Sequence, residues 1–379
     1  MLIQVHILQN YAPSNLNRDD NGSPKAAMFG GFNRGRISSQ CLKRSVRRST
    51  FFEEAFEEHE LLGKRTRDLP KLIDDELKKM KAADDAREAI VARVPEIGQS
   101  SEAAAKTKDD DDKLKTRQLI FLDMKEIPFL AEKLLAVYQK HGHKKWTDPD
   151  TKARLSIGDI TKELGESIPL SVDIAMFGRM TTSGFFKDVQ ASVQVAHTLT
   201  THSVDPEFDY FTAVDDLQPE EEIGASMIGD VEFNSATHYK YFNVQWEELV
   251  KNLKGEVDIA RQAVLVLLEA AAFAQPTGKQ NTFAAHNLPD VILVEVSQKN
   301  LPVSYANAFL KPVGKPFQVS LMDLSVQQFN SYRKRLRKAY GLNGQHAYMA
   351  VDSEHLIEEA LAKESISELQ DWLTQQLPE

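Results

Sequence analysis

Residues 34–49 read RGRISSQCLKRSVRRS, and neither Asp nor Glu occurs from Asn21 to Phe52. The stretch carries Arg34, Arg36, Lys43, Arg44, Arg47 and Arg48. The chain around it is acidic: 46 Lys and Arg against 56 Asp and Glu leave a net charge of −10. Ser38 or Ser39 supplies the side-chain acceptor that starts a helix. A helix from there places Gln40, Lys43 and Arg47 at i, i+3 and i+7, on one face. Leu42 and Val46 then turn to a core. The result is a polar, cationic face opening at a helix N-terminus, a seat for phosphate groups. The plainer alternative is a solvated basic helix.

The rest of the chain is read outward from this helix. Upstream, Leu2 to Gln9 alternates and predicts a strand. Asn10 to Asn33 is rich in Asn, Gly, Pro and Ser and reads as one long loop, a length that is functional or disordered. It contains Arg18-Asp19-Asp20 and KAAMFGG (Lys25 to Gly31), whose paired glycines would let backbone approach a ligand. Downstream, the basic helix continues to about His59. Leu61 to Ile168 is charged, alanine-rich and helical in pattern, with a polar connector SSEAAAKTKDDDDK inside it, and reads as a helical insertion. Leu170 to Phe177 predicts a strand, GRMTTSG (Gly178 to Gly184) a turn, and Val189 to Asp205 a short helix or strand. Asp209 to Leu217 brings an aromatic pair ahead of acids, followed by an acidic turn at Pro219 to Glu222. A strand at Gly229 to Val244, a helix at Glu256 to Ala274, a strand at Val291 to Val296 and helices at Ser325 to Tyr340 and Ser353 to Leu377 complete the chain. Without the insertion the order is strand, helix, strand, strand, helix, strand. That is an α+β chain on the ferredoxin-like plan that RNA-recognition motifs share.

Composition bounds the function classes. With 42% hydrophobic and 27% charged residues, the chain is that of a soluble globular protein of two or three domains. Cys41 is the sole cysteine, so an internal disulfide and a cysteine-rich metal site are excluded, and a reducing, cytoplasmic compartment fits. The apolar start MLIQVHILQN lacks a basic n-region and a cleavage site and reads as a strand. The run AVLVLLEAAAFA from Ala263 is broken by charge and too short to span a bilayer, so no membrane partner is expected. A pI near 5.6 argues against indiscriminate polyanion binding and leaves room for a focused basic groove.

The chain has no G-x-S-x-G, Walker A or G-x-G-x-x-G sequence, and no cofactor is expected. His197 and His202, five apart, do not share a helix face, so no zinc pair is expected. Cys41 reads as a small buried cysteine, although a basic helix start would lower a thiolate's pKa. Asp19 and Asp20 could hold Mg²⁺ or assist phosphodiester cleavage; the alternative is a turn, a cap or an ion pair with Arg18. For binding, Arg18, Lys25, Lys43 and Arg47 can track a phosphate backbone, with Ser38 and Gln40 as uncharged donors. Met180, between glycines, is either a wedge between bases or a core residue. Tyr210 and Phe211 either stack on a base or fill a core. Lys140, Lys144, Lys145 and Lys152 form a second candidate patch. The run Arg333, Lys334, Arg335, Arg337 and Lys338 is a candidate protein contact or accessory nucleic-acid patch.

The motifs LNRDD (Leu16 to Asp20), K-x-A-x-F-G-G from Lys25, R-I-S-S-Q-x-L-K-R (Arg36 to Arg44), GRMTTSG, FTAVDDL (Phe211 to Leu217) and YGLNG (Tyr340 to Gly344) occur in this order in the CasC family. The chain resembles that family over nearly its whole length. Its members form the backbone subunit of Cascade, the type I-E CRISPR surveillance complex. The resemblance implies a modified RNA-recognition-motif palm (1–60, 169–200 and 229–379), a helical fingers insertion (61–168) and a thumb hairpin (201–228). It implies copies stacked head to tail along one CRISPR RNA, a heterologous contact that generates a helical filament. Each thumb displaces a nucleotide, and the remaining bases stay open to pair with target DNA while the protein reads backbone and shape. Position by position, it implies guide-backbone contacts at Arg18, Lys25, Ser38, Gln40, Lys43 and Arg47, a wedge at Met180, and thumb contacts at Tyr210, Phe211 and Thr212. Tyr210 stands where some relatives have Trp. Target-DNA contacts at Lys144, Lys145 and Lys152 are suggested; no role is carried over for the Arg333 run. Partners implied are the CRISPR RNA, target DNA through the guide, copies of the chain and the other Cascade subunits. A metal-dependent ribonuclease using Asp19 or Asp20, and a purely structural interaction protein, are the alternatives.

Overall fold

The computed structural model describes residues 1–97, 115–116, 118–150, 152–165, 167, 169–181, 183–214, 225–314 and 318–378. The connector SSEAAAKTKDDDDK and the acidic turn at Pro219 to Glu222 lie outside them. The described strands are β1 (Leu2–Ser14), β2 (Ala26–Phe29), β3 (Phe32–Ile37), β4 (Gly63–Thr66), β5 (Ile120–Asp123), β6 (Val193–Val195), β7 (Thr198–Thr200), β8 (Glu207–Val214), β9 (Ala225–Gln245), β10 (Val291–Ser297), β11 (Gln345–Ala350) and β12 (Leu361–Lys363). Residue contacts divide the chain into two compact units. One comprises Met1–Phe52, Val193–Glu247 and Arg261–Glu379; the other comprises Glu53–Ser192 and Glu248–Ala260.

The first unit is built on one ten-stranded mixed sheet in the order β12-β11-β10-β1-β9-β7-β3-β2, with β6 and β8 also paired to β9. β1 lies antiparallel between β10 and β9, with Ile3 opposite Val296 on one side and Val244 on the other. Leu2 to Gln9 is buried on both faces, so its alternation separates two interiors and not core from water. Gln4 and His6 find polar partners inside, although His6 Nε2 and Gln9 Oε1 make no hydrogen bond among the described residues. Gln4 Oε1 accepts from the Tyr241 hydroxyl at 2.8 Å and from Val303 N at 2.7 Å, and His6 Nδ1 meets the Tyr239 hydroxyl at 2.8 Å. Leu8, Tyr239, Leu293, Tyr305, Phe309 and Phe329 share one core with the Leu321–Tyr340 helix. That helix starts on a capping box between Ser320 and Asp323.

The region expected as one long loop holds strand at both ends, with a turn-rich segment between Asn15 and Lys25. β1 runs on to Ser14, and β2 and β3 form a hairpin through Gly30 and Gly31, whose φ values of 62° and 84° are those of a tight two-residue turn. Gly30 does bring backbone close, but to the chain itself. A Cβ there would lie 2.0 Å from the Leu310 carbonyl oxygen.

The second unit holds the two-stranded sheet β4-β5 and a helical core in which Ile73, Leu77, Ile90, Leu130, Leu134, Trp146 and Phe185 are buried together. Between Leu61 and Ser167 the described residues are mainly helical, with this small sheet among them. Leu170 to Phe177, expected as a strand, contains a short helix, Val172–Phe177. Asp173 is wholly buried there, and its carboxylate accepts from Gly63 N at 2.8 Å. The C-terminal helix is shorter than expected, Ile366–Gln376, because β12 and turns occupy the residues before it.

Candidate nucleic-acid interface

The basic helix spans Ser39–Arg47 with Ser38 as N-cap, Ser38 Oγ accepting from Cys41 N at 3.3 Å. Leu42 and Val46 are its buried residues, and its first turn holds no acid. Gln40, Arg44 and Arg48 are exposed, and Lys43 and Arg47 are half-buried. Ser38 itself is buried, its oxygen engaged as the cap, which leaves its hydroxyl proton to donate.

The segment before this helix is pinned to it. Asn17 Oδ1 accepts from Ser38 N at 2.8 Å, and Asn17 O accepts from Lys25 N at 2.8 Å. Asp19 Oδ1 accepts from Asn21 N at 2.9 Å and Ser23 N at 3.0 Å, closing an Asx turn. Arg18 bridges Pro24 through the backbone and exposes its side chain, and Asp20 is exposed beside it. Arg18, Asp19 and Asp20 line one open cavity of about 440 Å³ with Cys41, Arg44 and Ser45 of the helix. Lys25 and Arg36 line a neighbouring cleft with Asn17, Asn234 and His238.

Two cations missed as site residues, Arg44 and Arg36, belong to this surface, and so does the imidazole of His197. Arg36 meets His197 Nδ1 at 2.9 Å. Burial first, then the charges of Arg36 and Lys25, push the His197 imidazole below its ordinary range. Arg44 and Arg36 stood in the basic stretch itself; nothing near His197 in the chain signalled it. Arg34 leaves the surface altogether. It is fully buried and donates to the backbone carbonyls of Thr200 at 2.9 Å and Phe309 at 2.6 Å. Burial raises the Cys41 thiol above its ordinary value despite nearby Lys25 and Arg44, so the basic helix start does not activate it.

In the same unit, β8 and the first part of β9 form a β-hairpin. Tyr210 is 65% exposed and Phe211 39%. Being adjacent on a strand, the two rings point to opposite faces. Phe208, Tyr210 and Thr212 share one face. On the other, Phe211 lies across Gly229, where a Cβ would stand 2.6 Å from its ring. Phe208, 61% exposed, and Ile228, 59% exposed, are further apolar side chains that the sequence reading passed over.

The second unit carries Met180, Lys144, Lys145 and Lys152. Met180 is 95% exposed, which removes the core alternative. Lys144 and Lys145 are exposed at the end of the Glu126–Thr147 helix, past a break at Gly142, and Lys152 is exposed as well. Lys140 pairs with Glu163 at 3.0 Å. The C-terminal basic run is partly spent internally. Arg333 is buried and donates to Glu295 Oε1 at 2.8 Å, Lys334 pairs with Glu358 at 2.5 Å, and Arg337 donates to the Leu342 carbonyl at 2.9 Å. Among the described residues no cluster of three metal-ligating side chains occurs, and no helix is long and apolar enough to cross a membrane.

A family model described as CT1975-like protein matches residues 3–374. The chain belongs to that CasC-like family. Two solved structures described as chains of a CRISPR RNA-guided surveillance complex are similar over 99% of this chain and 100% of their own. One, in a pre-nicking state, has a TM-score of 0.82 at 29% identity; the other has 0.73 at 25%. Among curated proteins no relative matches. The motif resemblance read from the sequence and the family match agree.

Proposed function

We propose that this family member is a non-catalytic, cytoplasmic CRISPR RNA-binding subunit of a Cascade-like complex. Copies stack head to tail along the guide, kink it at regular intervals and leave the bases between kinks to pair with target DNA. The observation that carries the reading is the acid-free face of the Ser39–Arg47 helix beside the pinned Asn17–Lys25 turn. Arg18, Lys25, Gln40, Lys43 and Arg47 would hold guide phosphates there, with Ser38 donating from the cap and Arg36 and Arg44 extending the contact. The first unit would be an RNA-recognition-motif palm. Its strands β10-β1-β9-β7, each antiparallel to the next, support this, because that is the sheet order of the ferredoxin-like plan. The β8-β9 hairpin would be the thumb, with Tyr210, Phe211 and Thr212 against the displaced nucleotide. The second unit would contain the fingers, with Met180 wedging between bases and Lys144, Lys145 and Lys152 available to target DNA.

The ribonuclease alternative would fall mainly to Asp20, because one carboxylate oxygen of Asp19 already accepts from Asn21 N and Ser23 N in its own turn. The test is expression with a CRISPR array and the other complex subunits, followed by incubation with complementary RNA and Mg²⁺. Co-purified guide and an intact complementary strand are expected. Purification free of RNA would overturn the binding reading, and regular cuts abolished by Asp20→Ala would replace it with a nuclease.

A further inference from the structure

Met180 stands 95% in solvent, yet the backbone on either side of it is held. Arg179 and Val189 exchange both backbone hydrogen bonds, at 2.9 and 2.8 Å. Thr181 N donates to the Asp188 carboxylate at 2.7 Å. Gly178, at φ 81°, lets this segment close on its neighbour; a Cβ there would lie 2.9 Å from Val189 O and 3.0 Å from Ala191 N. Arg179 is turned inward, its side chain 1% exposed. Its guanidinium donates to both carboxylate oxygens of buried Glu126, at 2.7 and 3.1 Å, and to the Lys187 carbonyl at 3.0 Å. Glu126 is in turn held by Asp123 N at 3.0 Å. Successive residues of an extended segment point oppositely, so the inward anchor of Arg179 fixes the outward direction of Met180.

We propose that Glu126, Arg179 and Asp188 are positioning residues that make Met180 a preorganised wedge for a stacked single-stranded RNA. The proposal rests on the RNA-binding reading above. A methionine on a slack loop would fold back on nearby apolar surface and lose freedom again on insertion between bases. A backbone pinned on both sides has already lost that freedom, so insertion costs less. The bidentate Arg179–Glu126 pair gives the pinning a fixed geometry that a single lysine contact would lack.

The test uses the complete complex assembled on a synthetic guide carrying 2-aminopurine at the positions that brighten on assembly, where a base has lost its stacking partner. Met180→Ala should abolish most of the brightening. Asp188→Ala, a surface change, and Glu126→Gln should each cut it at least twofold while leaving the salt dependence of RNA binding unchanged. In a Met180→Ala background neither should cut it further. Full brightening in Asp188→Ala, or losses of equal size with and without Met180, would overturn the proposal. If Glu126→Gln fails to fold, Asp188→Ala carries the test alone. Undiminished brightening in Met180→Ala would also overturn the proposal while sparing the RNA-binding reading. Failure of the unmodified complex to bind guide would overturn that reading itself.

Discussion

Replacing Lys43 and Arg47 together by Ala should change how salt governs RNA binding more than it changes the fold. Both are half-buried side chains on the Ser39–Arg47 helix, whose buried residues are Leu42 and Val46. On a single strand each neutralised phosphate contributes about 0.7 to the slope of log K against log salt. Two lost contacts therefore flatten the slope by about 1.4. Between 50 and 200 mM salt, a fourfold change, the variant's affinity should fall about sevenfold less than that of the unmodified chain. Fluorescence anisotropy with a labelled RNA long enough to seat one subunit reads this directly, and urea unfolding checks that the variant folds. Arg34→Met is the contrast: its guanidinium is buried on backbone carbonyls, so it should lower stability and leave the slope of the folded fraction alone. An unchanged slope in the double variant would refute the placement of phosphates on this helix face.

Tyr210→Ala should weaken guide binding by about 1–3 kcal/mol without moving the salt slope, since stacking is lost and no charge is; the same anisotropy titration reads both. Glu295→Ala should cost about 3–5 kcal/mol in urea unfolding, because buried Arg333 loses its carboxylate, and replacing both residues by Met should restore most of the loss. Burial, with the charges of Lys240 and His202 behind it, pushes His238 down to about 3, and His346 is pushed down to about 4, again mainly by burial. Their ordinary value is 6.5, so on acidification the unfolded chain takes up protons first. Stability from these groups is complete above pH 6.5 and declines as pH falls towards 4 and 3; the urea midpoint should be lower at pH 5 than at pH 7.5.

What the sequence made legible was local. Ser38 caps its helix because the acceptor and the first-turn amides are three residues apart, and any chain with that spacing can make the bond. The run Asn10 to Asn33 hid a hairpin because its overall polar composition outweighed a local signal, the two-residue turn Gly30-Gly31 between AAMF and Phe32. Leu170 to Phe177 misled because a short apolar run carries no decisive period. There Asp173 tips the balance through a bond to Gly63, 110 positions away. Charge was the least legible property. Arg34 and Arg333 look like their neighbours in sequence and differ only in what the distant chain brings to them, the carbonyls of Thr200 and Phe309 for one and Glu295 for the other. The exposure of Met180 was equally invisible, since a methionine between glycines has no signature that separates wedge from core.

The most direct test of the central claim is nuclease footprinting of the RNA that co-purifies with the complex expressed with a CRISPR array. The account predicts a protected guide cut at one regular interval, with that pattern blurred by Tyr210→Ala. Protection of the guide without any periodicity, or no protected RNA, would contradict a repeating filament of this chain along its RNA.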